Sequence, residues 1–561
     1  MMVVKYKIKG MTCNDCARHI ENLFDNKDGI INRKVSFTEG IGEFTYDPDK
    51  IQKAEIIKTI HTTPHYRIIS EIDDKKENQD IEESNEINSK PANYYDIIII
   101  GGGSAAFSAA ITAQEKGKKI LIVNAGLPIG GTCVNVGCVP SKNLIRIADD
   151  VHRASESHFE GIITHKPEFN FQTLLDDNQL LVKTLRQKKY IDVIKNKKEI
   201  TQITGWAVFI NKNTIEVEGK QYISSRFILA TGASTNIPSI KGIEKVPYLT
   251  NKTLFQLKEQ PQSITILGAG YIGLEIAMAF NRLGTKVTIL EFTDRVLRTQ
   301  TEDISNEITK FMKKEGINLL PNHRIEEITQ QKDVFILKGT NKITGKSFTI
   351  NEEGKIFVAT GIKANTSSMG LEKTGIRLNK NGSIIVNERQ ETNIPGIYAA
   401  GDCTNTPAFV YTAAAEGKTA ALNAIGENNA KTDYTGLPWV VFTDPQVAGA
   451  GIDEIQAEKK EIPYETAIIK LSDVPRAIAA NDTRGFIKLI RNPNTDALLG
   501  IRVVAPEGGE IVMQASLAIK YGISVTDLAN SLFPYLTLSE GIKLAAITFH
   551  KSVNELSCCA V

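Results

Sequence analysis

Six of the seven cysteines in this chain fall into close pairs, and each pair could do chemistry that a lone thiol could not. Cys133 and Cys138 are separated by four residues in GGTCVNVGCVPSK at 130–142. The flanking glycines let the loop fold back, so that the two sulfurs can meet as a disulfide or grip one ion together. A helix is expected from about Pro140, and its start, with Lys142 nearby, lowers a thiol pKa and raises the share of reactive thiolate. Cys13 and Cys16, in GMTCNDC at 10–16, make a second two-sulfur site at a helix start, suited to a soft ion such as Hg(II) or Cu(I). Cys558 and Cys559 are adjacent on the carboxyl-terminal tail, where neighbouring thiols have little packing value.

The elements that must position these sulfurs include two strand-turn-helix-strand units. In DIIIIGGGSAAFSAAITAQEKGKKILIVN at 96–124, Gly101, Gly103 and Ala106 supply a G-x-G-x-x-A turn. In SITILGAGYIGLEIAMAFNRLGTKVTILE at 263–291, Gly268, Gly270 and Gly273 repeat it. Small residues at a helix start let backbone amides approach a pyrophosphate, whose charge the helix dipole favours. Two such sites suggest FAD and a nicotinamide coenzyme. Eighteen residues beyond the third turn position each second strand ends where an acid commonly binds the adenosine ribose: the first unit has Asn124, the second Glu291. Glu291 suits the free 2'-hydroxyl of NADH and repels the 2'-phosphate of NADPH unless Arg295 or Arg298 swings in.

Composition sets the frame. With 66 basic against 65 acidic residues, there is no field to attract nucleic acid. No apolar run approaches the roughly 20 residues that span a bilayer, and no signal-peptide pattern opens the chain. A cytoplasmic enzyme acting on small molecules is therefore expected, without nucleic acid or membrane insertion. Paired thiols in a reducing compartment point to redox or metal work. Residues 71–93 read as a flexible linker, with DDKKENQDIEESNEINSKPAN as its charged body. Before it, residues 1–70 read as strand, helix from about Asn14, two strands, helix from Lys50 and a last strand, a small ferredoxin-like α+β metal-binding domain.

From about residue 94 onward the chain resembles the flavin-dependent disulfide oxidoreductases. The cysteine stretch carries the resemblance, with ILATGAS at 228–234, FVATGIKAN at 357–365 and GIYAAGDCT at 396–404. The resemblance implies an α/β fold with two Rossmann-like domains and an α+β carboxyl-terminal dimerisation domain. Its expected divisions are FAD binding at 94–240 and 355–433, NAD(P) binding at 241–354, and a dimerisation domain with a metal-transfer cysteine tail at 434–561. It implies that Cys133 is the outer, exchanging sulfur and that Cys138 lies against the flavin, with Lys142 and Glu275 paired beside it. Asp402 is expected on the ribityl chain, and Gly131, Thr132 and Gly232 on FAD. GMTCNDC resembles the heavy-metal-associated domains, a motif that leaves the metal open.

Thiol-handling relatives carry a His-Pro-x-x-x-Glu stretch whose histidine is the acid-base catalyst. Here Tyr535 stands in the histidine position, five residues before Glu540, so the base that activates a dithiol near neutral pH is missing. The Hg(II)-reducing members resemble this chain in that tyrosine, in a second one matching Tyr190, and in a terminal cysteine pair. The expected function is reduction of thiol-bound Hg(II) to Hg(0) by NADH or NADPH through FAD, in a homodimer whose active site is shared between subunits. The ion would pass from Cys13 and Cys16 to Cys558 and Cys559, then to Cys133 and Cys138. Two alternatives stand beside this: a dithiol-disulfide reductase with a metal-binding appendage, and a metal chaperone whose flavin module is vestigial.

Overall fold

The computed structural model describes residues 1–11, 14–63, 66–72, 91–427 and 429–555. It divides into two compact units, 1–92 and 93–561. The first is built on alternation. In strand Met2–Lys9, Val4, Tyr6 and Ile8 are buried while Lys7 and Lys9 point outward, the period-2 pattern of a sheet with one covered face. The sheet is antiparallel in the order Ile30–Ser36, Ile41–Tyr46, Met2–Lys9, Arg67–Ile72. Helices Asn14–Asn22 and Lys53–Ile60 complete the β-α-β-β-α-β order of a ferredoxin-like domain. The second helix begins three residues later than the expected Lys50.

The second unit holds two parallel sheets. Strands Ile397–Ala399, Phe227–Leu229, Ile97–Ile100, Ile120–Asn124 and Ile200–Thr204 lie side by side in that order, all parallel. The IIII run of 97–100 is buried along its whole length, as a strand covered on both faces must be. Helix Ser104–Gln114 packs through Ala105, Ala109 and Ala113 near helix Val410–Ala424, whose Ala413, Ala420 and Ala421 share the same core. Small side chains allow that close approach. The second sheet runs Asn318–Leu320, Lys286–Leu290, Ser263–Leu267, Lys355–Val358. Both Rossmann-like units are present.

The carboxyl-terminal part is a five-stranded antiparallel sheet covered by helices Gly508–Lys520 and Glu540–Ile547. Of its buried cations, Lys488 ties it to a nucleotide domain through Asp303, and Arg502 pairs within the carboxyl-terminal part itself. Lys488 reaches Asp303 at 2.7 Å and Glu454 at 2.5 Å, and Arg502 pairs with Asp453 at 3.3 Å under the Trp439 ring. No helix among the described residues is long and apolar enough to cross a membrane.

Candidate active site

The cysteine stretch is folded differently from the loop that its glycines suggest. Residues Gly131–Val136 form a short helix, Gly137 breaks it, and helix Cys138–Ser155 begins at the second cysteine rather than near Pro140. Asn135 makes this possible. Its buried amide donates to the carbonyls of Pro128, Gly131 and Ile129 at 2.9, 2.8 and 3.2 Å, and its oxygen accepts from Arg186 at 2.9 Å. At Gly137 a Cβ would sit 2.9 Å from the Thr132 carbonyl oxygen, so the two helices close only over a glycine. Cys133 and Cys138 are thereby brought together, as thiols, at one end of a long helix.

Their electrostatics are unequal. The Cys138 thiol is brought down to about 7, first by a hydrogen bond from Cys133 and, against the cost of burial, by the Lys142 cation. Cys133 is pushed well up, because its proton bridges to Cys138 and its site is buried. One thiolate, on Cys138, is therefore stabilised by the neighbouring thiol. Lys142 donates to Glu275 at 2.8 Å, and the other Glu275 oxygen accepts from the Phe442 amide at 3.0 Å. Glu275 is nearly sequestered and Lys142 only partly so. The same two helices are tied again seven residues on, where Asp149 accepts from Arg282 at 2.6 Å. Arg282 is buried and also holds Glu315 at 2.6 Å and Asp444 at 3.0 Å.

Both sulfurs, Lys142 and Glu275 face a cavity of about 630 Å³, shared with Ser104, Thr132, Gly232 and Asp402. Its walls fit a flavin dinucleotide. A Cβ at Gly101 (φ +130°) would lie 2.0 Å from the Ala230 carbonyl oxygen, and one at Gly131 would lie 2.7 Å from Gly103 Cα. Backbone thus meets backbone where a pyrophosphate needs bare amides. Ala106 is buried behind the turn. Asn124 is buried too, its Nδ2 donating to Leu127 at 2.9 Å. The Asp402 carboxyl is raised by burial and then by Glu416, with only its own backbone to help among the described residues, so it calls for donors such as ribityl hydroxyls.

At the second turn Gly268 (φ +105°) and Gly273 pack against carbonyls, whereas the Gly270 position faces open space where phosphate has room. Glu291 accepts from the Ala269 amide at 2.6 Å and stands beside this turn. Tyr271, Trp439 and Tyr411 line the same cavity and carried no signal in the sequence beyond Tyr271 following Gly270. Glu416 was equally silent. Fully buried, it accepts from the Gly401 amide at 2.7 Å and the Tyr434 hydroxyl at 2.8 Å, holding the segment that carries Asp402.

Tyr190 is brought to the site. It lies in a π-turn, Gln187–Ile191, a local form frequent at functional sites. Its ring packs edge-on against Phe107, its hydroxyl is 3.4 Å from Ser104, and its pKa is raised chiefly by burial, with the two redox sulfurs adding to it. Tyr535 and Glu540 are not brought there within one chain: Tyr535 is half exposed, Glu540 is buried at a helix start, and neither lines the cavity. Cys16 is half-buried on helix Asn14–Asn22. Cys13, Cys558 and Cys559 lie outside the described residues. Among the described residues no three metal-binding side chains gather. The seventh cysteine, Cys403, is completely buried between the carbonyls of Leu229 and Ala400, its thiol pushed up by burial to about 11.

Residues 95–417 match the pyridine nucleotide-disulphide oxidoreductase model, 437–546 its dimerisation domain, and 5–65 the heavy-metal-associated domain. The chain is 39% identical to the mercuric reductase of Lysinibacillus sphaericus, covering 99% of both chains, and 38% identical to that of Staphylococcus aureus, again 99% of both. A Cu(II) complex of the HOCl-induced flavoprotein disulfide reductase RclA from Escherichia coli superposes with a TM-score of 0.73 at 27% identity, over 82% of this chain and 100% of that one. The chain belongs to the pyridine nucleotide-disulphide oxidoreductase family, and within it to the mercuric reductases.

Proposed function

We infer that this protein is an FAD-dependent oxidoreductase that spends NAD(P)H to reduce thiol-bound Hg(II) to Hg(0), a mercury-detoxifying activity. The observation that carries this is the pairing of full-length likeness to mercuric reductases with a dithiol set on a cavity that fits a flavin. Gly101, Gly103, Ala106, Gly131, Thr132, Gly232 and Asp402 would hold FAD, with Asn124 under its turn. Gly268, Gly270, Gly273 and Glu291 would hold the nicotinamide coenzyme. Bound FAD supplies two-electron transfer between the coenzyme and the cysteine side of the cavity.

The chain's own residues do the rest. Cys138, already favoured as thiolate, takes the soft ion, and Cys133 gives up its proton as it becomes the second ligand; sulfur-only ligation disfavours hard ions. Lys142 balances the thiolate charge, and Glu275 keeps that cation in place. Tyr190 closes the dry side of the pair. Overall, one NAD(P)H yields two electrons and one proton, Hg(II) takes both electrons, and two thiolates let go of neutral metal. A disulfide reductase is disfavoured because Tyr535 replaces the base that such chemistry needs.

The dimerisation domain supports a homodimer and the heavy-metal-associated domain supports Hg(II) binding. In the finer reading, Tyr535, Glu540 and the Cys558–Cys559 tail serve the partner subunit's dithiol, Cys13 and Cys16 load the tail, and the protein works in the reducing cytoplasm. The expected domain divisions, at 70, 93, 240, 354 and 433, belong to the same reading. The test is coenzyme oxidation by the FAD-loaded protein with Hg(II) in excess thiol, recording volatile Hg(0). Release of Hg(0) that Cys133→Ala abolishes supports the assignment, and oxidation driven by a disulfide with no Hg(0) replaces it with a thiol reductase.

A further inference from the structure

We propose that the coenzyme is the dinucleotide lacking a 2'-phosphate, NADH, and that Asp294 enforces this by tethering the two arginines that could otherwise neutralise the phosphate. The proposal rests on the reading of the second glycine turn as the nicotinamide site. Glu291 stands at the end of strand Lys286–Leu290, beside that turn, and its carboxylate is fixed. Oε2 accepts from the Ala269 amide at 2.6 Å, and Oε1 accepts from the Thr293 amide at 2.7 Å. The Thr293 hydroxyl has one proton and two acceptors within reach, Glu291 Oε1 at 2.7 Å and the Arg295 carbonyl at 3.0 Å. A carboxylate offers about four acceptor directions, so when Thr293 turns to Arg295, one direction on each oxygen is open to the vicinal hydroxyls of a ribose. A phosphate ester there would bring a second anion against a carboxylate that cannot turn away.

The cations that could relieve this are held elsewhere. Arg295 pairs with Asp294 at 3.2 Å and donates to the Gln300 carbonyl at 3.2 Å, drawing its guanidinium inward. Arg298 pairs with the other oxygen of Asp294 at 2.9 Å. Lys342 lies 3.9 Å from the centre of the Phe292 ring and donates to the Phe292 carbonyl, and His323 Nδ1 lies 2.7 Å from the Pro321 carbonyl oxygen. One half-exposed aspartate thus occupies both arginines of the segment that follows the ribose-binding acid. Asp294 is a positioning residue, acting through Arg295 and Arg298.

Binding separates this from turnover. The oxidised, FAD-loaded full-length protein is titrated calorimetrically with 5'-AMP and with 2',5'-ADP, two probes that differ by the 2'-phosphate. The unmodified protein is expected to bind 5'-AMP about ten-fold tighter or more, a value kept modest because the site is partly exposed and screened. Asp294→Asn is expected to narrow that ratio by about five-fold by freeing Arg298 and removing one of the two holds on Arg295, and Arg298→Ala, in the unmodified background, to leave it where it was. Tighter binding of 2',5'-ADP by the unmodified protein, or a loss of 2',5'-ADP affinity in Arg298→Ala, overturns the proposal. So does an unchanged ratio in Asp294→Asn, and so does failure of both probes to bind. Because no Hg(II) enters the experiment, its outcome is independent of whether the protein releases Hg(0).

Discussion

Cys138 owes its low pKa to two neighbours of different kinds, a thiol that donates a hydrogen bond and an ammonium that acts through space. The first is the larger. Replacing Cys133 with alanine removes the donor, so the Cys138 pKa should rise by about one pH unit or more. The rate of alkylation by iodoacetamide against pH reads this directly, because only the thiolate reacts. Lys142→Met should move the same midpoint upward by less. A midpoint that stays near 7 in both variants would mean that the helix start, and neither neighbour, holds the thiolate.

Two ion pairs clamp the helix that carries Cys138 to the helix that follows the second turn, Lys142 with Glu275 and Asp149 with Arg282, seven residues apart on each. The second pair is a node, since Arg282 also neutralises Glu315 and Asp444. Arg282→Met strands Asp149 and Glu315 in a partly desolvated site, while Asp444 keeps Arg484 at 2.8 Å, and should cost about 3–5 kcal/mol at neutral pH. Burial already holds the Asp149 carboxyl pKa above its unfolded value against the pull of Arg282, and without the cation it rises further. The penalty is therefore present above the unfolded carboxylate range and shrinks as the pH falls towards it. Chemical denaturation at pH 5 and pH 8 measures the difference, and an equal loss at both would leave the node without an electrostatic role. The sequence discloses the ends of this clamp unevenly. The glycine turns and the cysteine stretch are local patterns and can be read from a dozen residues. Glu275 is found only through family resemblance, and Arg282 not at all, because its partner is 133 residues away and contact at that distance leaves no local trace. Glu416 is hidden likewise, its partners Gly401 and Tyr434 lying 15 and 18 residues away, beyond any local motif. The cysteine stretch was legible as chemistry but not as conformation, because its short helix depends on the side-chain bonds of Asn135, one of which reaches Arg186, 51 residues away.

On the scale of the whole molecule, the cavity and all the residues that line it belong to the unit beginning at Asn93. A chain beginning there should fold as a yellow protein and keep its turnover with thiol-bound Hg(II) to within about two-fold, since such units carry their own cores. Steady-state assay and metal-binding stoichiometry check this, with loss of one Hg(II) site and little loss of rate expected. A shared active site predicts complementation. Random mixing of Cys133→Ala subunits with subunits carrying Cys558→Ala and Cys559→Ala makes half of the dimers mixed, each with one sound site. Activity should recover to about a quarter of normal, and mixtures no better than their parents would place the tail with its own subunit's dithiol.

A protein that handles a thiophilic poison faces a hazard of its own making, because every stray sulfur is a trap. Six cysteines are paired and one is not, and that one, Cys403, is shut between two carbonyls with its proton held to about pH 11. The consequence is that the one unpaired thiol is withheld from a soft cation: it is shut in the core, and its proton stays on at neutral pH.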